Sequence, residues 1–210
     1  MTHHYPIVVG QLNDGQEARY PGTDVPALSR IAQVIIGVEL DRRLSDQLPS
    51  WKCYQGEAGT TRADKGVAFR AGSGMTVEQE GVFWWPTSGK GESLVLRVDY
   101  QGSPLSFITA HRPIAKQQTA RLAFDPALVA LFKSEKQEGR VPIIGIDCNQ
   151  ASPPTLIEPM GAQWVVPYPT SIVGLLVPKS VQVSGCVALP KTGEHPPVVA
   201  MMKVPVENVA

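Results

Sequence analysis

The sequence has few cysteines, no excess charge and no long apolar run, and each of these shortages excludes something. Cys53, Cys148 and Cys186 are the only three cysteines in 210 residues. They are odd in number and far apart, which excludes a disulfide framework and a zinc knuckle and fits a reducing compartment. Nineteen basic residues cancel nineteen acidic ones, so no global field draws the chain to nucleic acid or to an anionic membrane. A phosphate substrate stays open, because a bound divalent cation supplies local positive charge. No apolar run approaches bilayer length, and the start, Met-Thr-His-His-Tyr-Pro, has no basic region followed by an apolar stretch. The expectation is a cytoplasmic protein without a membrane partner, with His3 and His4 as a frayed terminus rather than a metal site.

What is present fits one globular domain over residues 1–210, with 43% hydrophobic and 18% charged residues. Nineteen glycines and nineteen prolines, spread along the chain, predict many short elements joined by tight turns. Solid apolar runs at 6–12 and 33–39 read as strands. Short helices are expected over 25–31 and 41–48, with further strands at 51–54, 66–70 and 76–85. Residues 93–100 and 104–111 form the clearest hairpin, turning at Gln101-Gly102-Ser103. Leu122, Leu128, Leu131 and Phe132 recur at helical spacing, which predicts one or two helices over 115–136, broken near Pro126. A Pro-rich loop at 152–154 and strands at 163–166, 172–177, 181–188 and 198–204 complete the chain. Strands outnumber helices and helices lie between some of them, which points to two sheets packed together with helices outside.

The run Val141-Pro-Ile-Ile-Gly-Ile-Asp-Cys-Asn-Gln150 is a buried strand that delivers two polar side chains at its end. In extended geometry Asp147 and Asn149 point to one side, at the carboxyl end where open α/β sheets place ligands. An Asx turn is the local alternative. Other strands end in the same manner: Gln11 with Asn13, Glu39, His111, and Glu194-His195 before the last strand. One polar strand end is a turn, whereas five at corresponding places predict a shared cleft. Cys148 alternates to the buried side and reads as a packed small apolar residue rather than a nucleophile. Trp84 and Trp85 read as core plus rim, with a base-stacking platform as the alternative.

These residues resemble the endonuclease/exonuclease/phosphatase superfamily over nearly the whole chain. Val34-Ile-Ile-Gly-Val-Glu39 is similar to its D-I-I-G-L-Q-E strand, Phe107-Ile-Thr-Ala-His111 to the strand that ends in its first His, Gly145-Ile-Asp-Cys-Asn149 to G-D-F-N, and Gly193-Glu-His-Pro-Pro-Val198 to S-D-H-x-P-V. The resemblance implies an α+β, four-layer α/β/β/α sandwich of two mixed β-sheets with helices on the outer faces. Three positions depart from the pattern. Gln11 stands at the first Asn of W-N-V-N, Glu194 stands for Asp, and Val173 replaces the Asp of I-D-Y-I-F-V that orients the C-terminal His. A His without that partner loses orientation and basicity.

By this resemblance the chain is expected to be a divalent-metal-dependent phosphodiesterase, a nuclease acting on DNA or RNA before other substrates. Mg²⁺ (or Mn²⁺) suits its hard oxygen ligands. Glu39 would be the main metal ligand, with Gln11, Asn13 and Glu194 around it. Asp147 would orient or deprotonate the attacking water, Asn149 would hold that water or the phosphate, and His111 and His195 would donate to phosphate oxygens. Arg112 and Lys116 are candidate substrate contacts, as are Arg42, Arg43, Arg62, Lys65 and Arg70. A solvated mixed-charge surface is their alternative reading. Two other functions stay open: a pseudoenzyme that keeps the fold as a binding or inhibitory module, and a small-molecule or lipid phosphatase.

Overall fold

The central strands are apolar on both faces because both faces are covered. The computed structural model describes residues 3–13, 24–40, 43–55, 65–85, 92–190 and 195–206. In chain order the elements are β1 (His3–Asn13), α1 (Asp24–Ile31), β2 (Val34–Val38), α2 (Leu44–Gln47), β3 (Trp51–Gln55), β4 (Lys65–Arg70), β5 (Met75–Trp84), β6 (Glu92–Tyr100), β7 (Ser103–His111), α3 (Gln118–Gln137), β8 (Val141–Asp147), α4 (Pro154–Met160), β9 (Ala162–Val165), β10 (Val173–Pro178), β11 (Gln182–Ala188) and β12 (Val198–Val206). They build two six-stranded mixed sheets, ordered β11-β12-β1-β2-β4-β3 and β5-β6-β7-β8-β10-β9.

Three apolar clusters define the layers. Ile7, Val9, Ile36 and Phe69 of the first sheet meet Leu96, Phe107, Ile143 and Leu175 of the second between the sheets. Phe124, Leu128 and Phe132 of α3 and Leu156 of α4 cover the outer face of the second sheet. Val25 and Leu28 of α1 and Leu44 of α2 cover the first. The result is the expected α/β/β/α order, with strands β2 and β10 buried throughout their length.

Each sheet contains a parallel pair at its centre, β1 with β2 and β7 with β8. In each pair a helix lies between the two strands in sequence, α1 or α3, as a parallel connection requires. Parallel neighbours present their carboxyl ends together, and β2 packs against both β7 and β8. Close approach there depends on Gly145: a Cβ on it would lie 2.5 Å from Ile36 Cγ2 and 3.2 Å from Gln11 Cγ. Gly145→Ala is therefore expected to force the sheets apart at a cost of about 2 kcal/mol. A melting temperature lowered by about 4–8 °C would report it, and an unchanged one would show that Ile36 moves aside freely.

Local structure differs from expectation in instructive places. The β6–β7 turn is two residues long, with Gln101 (φ 55°) and Gly102 (φ 82°) both left-handed, which is the type I′ geometry that matches strand twist. Ser103 already belongs to β7. Helix α3 runs unbroken through Pro126. Pro126 and Leu122 are both exposed, so the Leu122 carbonyl that loses its N–H partner can be hydrated. Leu122 itself is 71% exposed and takes no part in the core. The expected Pro-rich loop gives way at Pro154 to α4, where proline occupies the first turn, its N–H being dispensable there. Of the helix expected over 41–48, the described residues 43–48 are helical over Leu44–Gln47. His3 and His4 are not frayed: they pair with Val206 and Pro205 in the β1–β12 ladder.

Candidate active site

The carboxyl ends of β2, β7 and β8 hold the site. His111 ends β7, Asp147 ends β8, and the two are direct register partners in the parallel ladder. Glu39 follows β2 in the left-handed region (φ 54°). Its turn is tight because Leu40 folds back over Gly37, where a Cβ would meet Leu40 Cδ2 at 2.6 Å. That reversal aims the Glu39 carboxylate at the second sheet, 3.2 Å from His111 Nδ1. One ligand atom from each of Glu39, His111 and Asp147 lies within 4.8 Å of the others.

Asn149 closes the arrangement from the other side. Its backbone is also left-handed (φ 49°), a conformation asparagine accepts more readily than most residues. Its N–H donates to Asp147 Oδ1 at 2.9 Å. Its side-chain Nδ2 donates to the Arg112 carbonyl at 2.7 Å and lies 3.2 Å from His111 Nε2. Because Nδ2 only donates, Nε2 accepts, and the neutral imidazole carries its proton on Nδ1, facing Glu39. His195 approaches from the segment before β12, with Nε2 3.7 Å from Asp147 Oδ2. Asp147 itself is 2% exposed. Val173 is the direct partner of Asp147 in the antiparallel β8–β10 ladder, so the two side chains share a face. Where the resemblance implies a carboxylate to orient His195, the structure has a buried apolar group.

Gln11 is fully buried, and its Cγ lies against Gly145, two residues below Asp147 on β8. Its Nε2 reaches the Leu12 carbonyl at 3.4 Å, while its Oε1 is buried without a hydrogen-bond partner among the described residues. A buried amide oxygen and two carboxylates are hard oxygen donors, so the residue types present fit a divalent cation such as Mg²⁺ or Mn²⁺. Asn13 pairs with Val38 through its backbone, and its side chain lies outside what is described. Glu194, Arg42 and Arg62 lie outside the described residues.

Arg112 takes a different place from the expected substrate contact. It is buried, and its guanidinium is bidentate to Asp125 at 2.8 and 2.6 Å and bonded to Gln150 and Thr155. Burial is the largest single influence and disfavours its charge, but the hydrogen bonds to Asp125 and the negative charge around the guanidinium together carry its pKa upward. Lys116 is exposed in the turn that leads to α3. Burial raises the Cys148 thiol to about 12, so it is no thiolate nucleophile near neutral pH. Trp85 is core, its ring tilted against Phe124 at 4.3 Å between centroids.

At this end of the sandwich Lys65, expected as a substrate contact or a solvated surface charge, instead lies buried beside Glu92, which sequence reading passed over. Lys65 and Glu92 are each 7% exposed, and the Lys65 ammonium donates to the Glu92 carbonyl. Lys65 is in phase with buried Val67 and Phe69, and Glu92 with buried Leu94 and Leu96. A charged residue in register with a strand's apolar set is the period-two signature of an inward-facing charge.

No family model matches the chain, and no curated protein matches it in sequence. Solved structures do match in fold. An endonuclease/exonuclease/phosphatase family protein from Bacteroides thetaiotaomicron superposes with a TM-score of 0.77 at 11% identity, covering 96% of this chain and 98% of that one. A mannosyl-6-phosphatase of the same organism gives 0.76 at 12% identity, covering 93% and 99%. TDP2 from D. rerio, complexed with a single strand DNA product, gives 0.70 at 15%, covering 95% and 99%. With two six-stranded sheets and polar groups converging at their central carboxyl ends, the chain has the fold of the endonuclease/exonuclease/phosphatase superfamily.

Proposed function

We propose that this protein hydrolyses phosphate esters with a divalent cation, Mg²⁺ or Mn²⁺, and that its substrates are phosphodiesters of DNA or RNA. The observation that carries this reading is the convergence of Glu39, His111 and Asp147 within 4.8 Å, with Asn149 bonded to two of them. Glu39, Asp147 and Gln11 would hold the cation, with Asn13 and Glu194 expected beside them. When bound, the cation supplies Lewis acidity and neutralises phosphate charge.

The chain's own residues do the rest. Asp147, nearly excluded from solvent and held by the Asn149 N–H, is placed to accept a proton from a water at the cleft floor. His195, a quarter exposed beside it, can donate to a phosphate oxygen or to the leaving group. His111, fixed between Glu39 and Asn149, is oriented before substrate arrives, which lowers the reorganisation needed at the transition state. Lys116 remains the exposed candidate for a phosphate contact, and Arg112 acts from behind the site. Three free cysteines support a reducing, cytoplasmic setting. Among the described residues, no helix is long and apolar enough to cross a membrane.

The test is hydrolysis of supercoiled plasmid DNA and of a chromogenic phosphodiester with Mg²⁺, Mn²⁺ or chelator. Metal-dependent cleavage is expected, and none on either substrate would overturn the reading. The mannosyl-6-phosphatase neighbour supports a second reading, a sugar-phosphate monoesterase using the same residues. Release of inorganic phosphate from hexose phosphates, without plasmid cleavage, would select it.

Val173 supports a third reading, a pseudoenzyme. Val173→Asp restores a carboxylate on the face shared with Asp147 and beside His195. The expected result is a kcat raised about tenfold, with some loss of stability from burying the new charge. A fall in kcat would show that His195 already relies on Asp147.

A further inference from the structure

Behind the site lies a second tier of polar contacts that none of the roles above uses. Arg121, on α3, donates from Nε to the Pro113 carbonyl at 2.6 Å and from Nη2 to the Asn149 carbonyl at 3.0 Å. Pro113 lies two residues after His111. One planar guanidinium therefore ties the loop that leaves β7 to the loop that leaves β8. Asp125, one turn further along α3, holds Arg112 in two bonds and accepts from Thr155 Oγ1 at 2.7 Å. Arg112 in turn donates to Gln150 Oε1 at 2.7 Å. Its own N–H donates to the Asp147 carbonyl, and its carbonyl accepts from Asn149 Nδ2. Every segment that carries a polar group of the site on the second sheet, β7, β8 and the loop after each, is thus pinned to α3.

We propose that Arg121, backed by the Arg112–Asp125 pair, is a positioning residue that holds Asn149 left-handed and so fixes the side chain that bonds His111 Nε2 opposite Glu39. The proposal rests on the phosphoester reading for its kinetic consequence but not for its geometric one. A left-handed non-glycine residue costs free energy and persists only where its surroundings over-determine it. Here the Asn149 N–H, carbonyl and Nδ2 each have a partner. If the Arg121 fork is removed, the carbonyl is released, the peptide relaxes and Nδ2 leaves His111. Lysine cannot substitute, because a single ammonium does not present two coplanar donors to two carbonyls.

The experiment compares wild type, Arg121→Lys and Arg121→Ala in two readouts. The first is kcat against KM on the chromogenic phosphodiester with saturating Mn²⁺. The second is the ¹⁵N spectrum of the His111 ring in substrate-free, Mg²⁺-loaded protein, which distinguishes the two neutral tautomers without any turnover. Expected for both variants are a kcat lowered about tenfold to a hundredfold with KM within about twofold, and a His111 Nε2 signal shifted by loss of the bond from Asn149, with the Nδ1–H still held by Glu39. If Arg121→Ala is too unstable to assay, Arg121→Lys decides alone. An unchanged His111 spectrum, or a lysine variant that retains both the spectrum and kcat, overturns the proposal. Should the wild type hydrolyse no phosphoester, the functional reading fails, while the His111 spectra still decide whether Arg121 positions Asn149.

Discussion

Asp147→Asn is expected to lower kcat on a phosphodiester by about 10³-fold, the middle of the range for losing a positioned general base. Asparagine keeps the volume of the side chain and an oxygen to accept from the Asn149 N–H, at present 2.9 Å away. The left-handed turn at Asn149 therefore survives, and so does its contact with His111. What disappears is the negative charge that faces His195 at 3.7 Å and stands in the cluster with Glu39 and His111. Metal affinity falls with it, so the comparison is made at a cation concentration that saturates both proteins. A melting temperature close to wild type, together with the loss of turnover, assigns the effect to chemistry. Turnover within tenfold of wild type would remove Asp147 from the reaction and leave it a turn-forming residue, as its Asx geometry alone would allow.

Much of the candidate site's placement was legible because strand ends are legible. A solid apolar run of four or five residues must be covered on both faces, so the polar side chain that follows it stands at a predictable end of the sheet. That reasoning located Gln11, Glu39, His111 and Asp147 separately, and the parallel pairing of β1 with β2 and of β7 with β8 brings their ends together. The direction of Arg112 was not legible. After His111 the strand stops, the alternation that tells inside from outside stops with it, and the guanidinium turns to Asp125, thirteen residues away and one layer out. Helix α4 was hidden because Pro154 and Pro159 both lie within seven residues, and proline reads as a breaker unless the helix start is recognised. Pro126 misled in the same sense. A proline on the solvent side of a long helix bends the bookkeeping of hydrogen bonds without ending the helix, because α3 is held by Phe124, Leu128, Leu131 and Phe132 on its other face. Lys65 and Glu92 were legible in principle, from their phase with the core.

Helix α3 also carries the group with the largest expected effect on stability. Glu135 is fully buried and accepts from Arg97 Nε at 3.0 Å, from Arg97 Nη2 at 2.5 Å and from the Ser106 hydroxyl at 2.5 Å. Arg97 is on β6 and Ser106 on β7, so one carboxylate fastens the helix that bears Arg121 and Asp125 to two strands of the second sheet. The hydrogen bond to Glu135 also raises the Arg97 pKa, against the opposing effect of its partial burial, which keeps the guanidinium charged. Arg97→Met is expected to destabilise the fold by about 3–5 kcal/mol, because it leaves a carboxylate buried with one hydroxyl for company. Arg97→Met with Glu135→Leu should be markedly less destabilised than Arg97→Met alone, since the second change removes the stranded charge and fills its place with apolar volume. Urea unfolding of the two singles and the double gives the coupling directly. If the double is no more stable than Arg97→Met, the loss is one of packing around β6 rather than of an uncompensated charge. The ion pair would then be a bystander to the docking of α3, and the route from helix to site would have to run through the apolar contacts of Phe124, Leu128 and Phe132 alone.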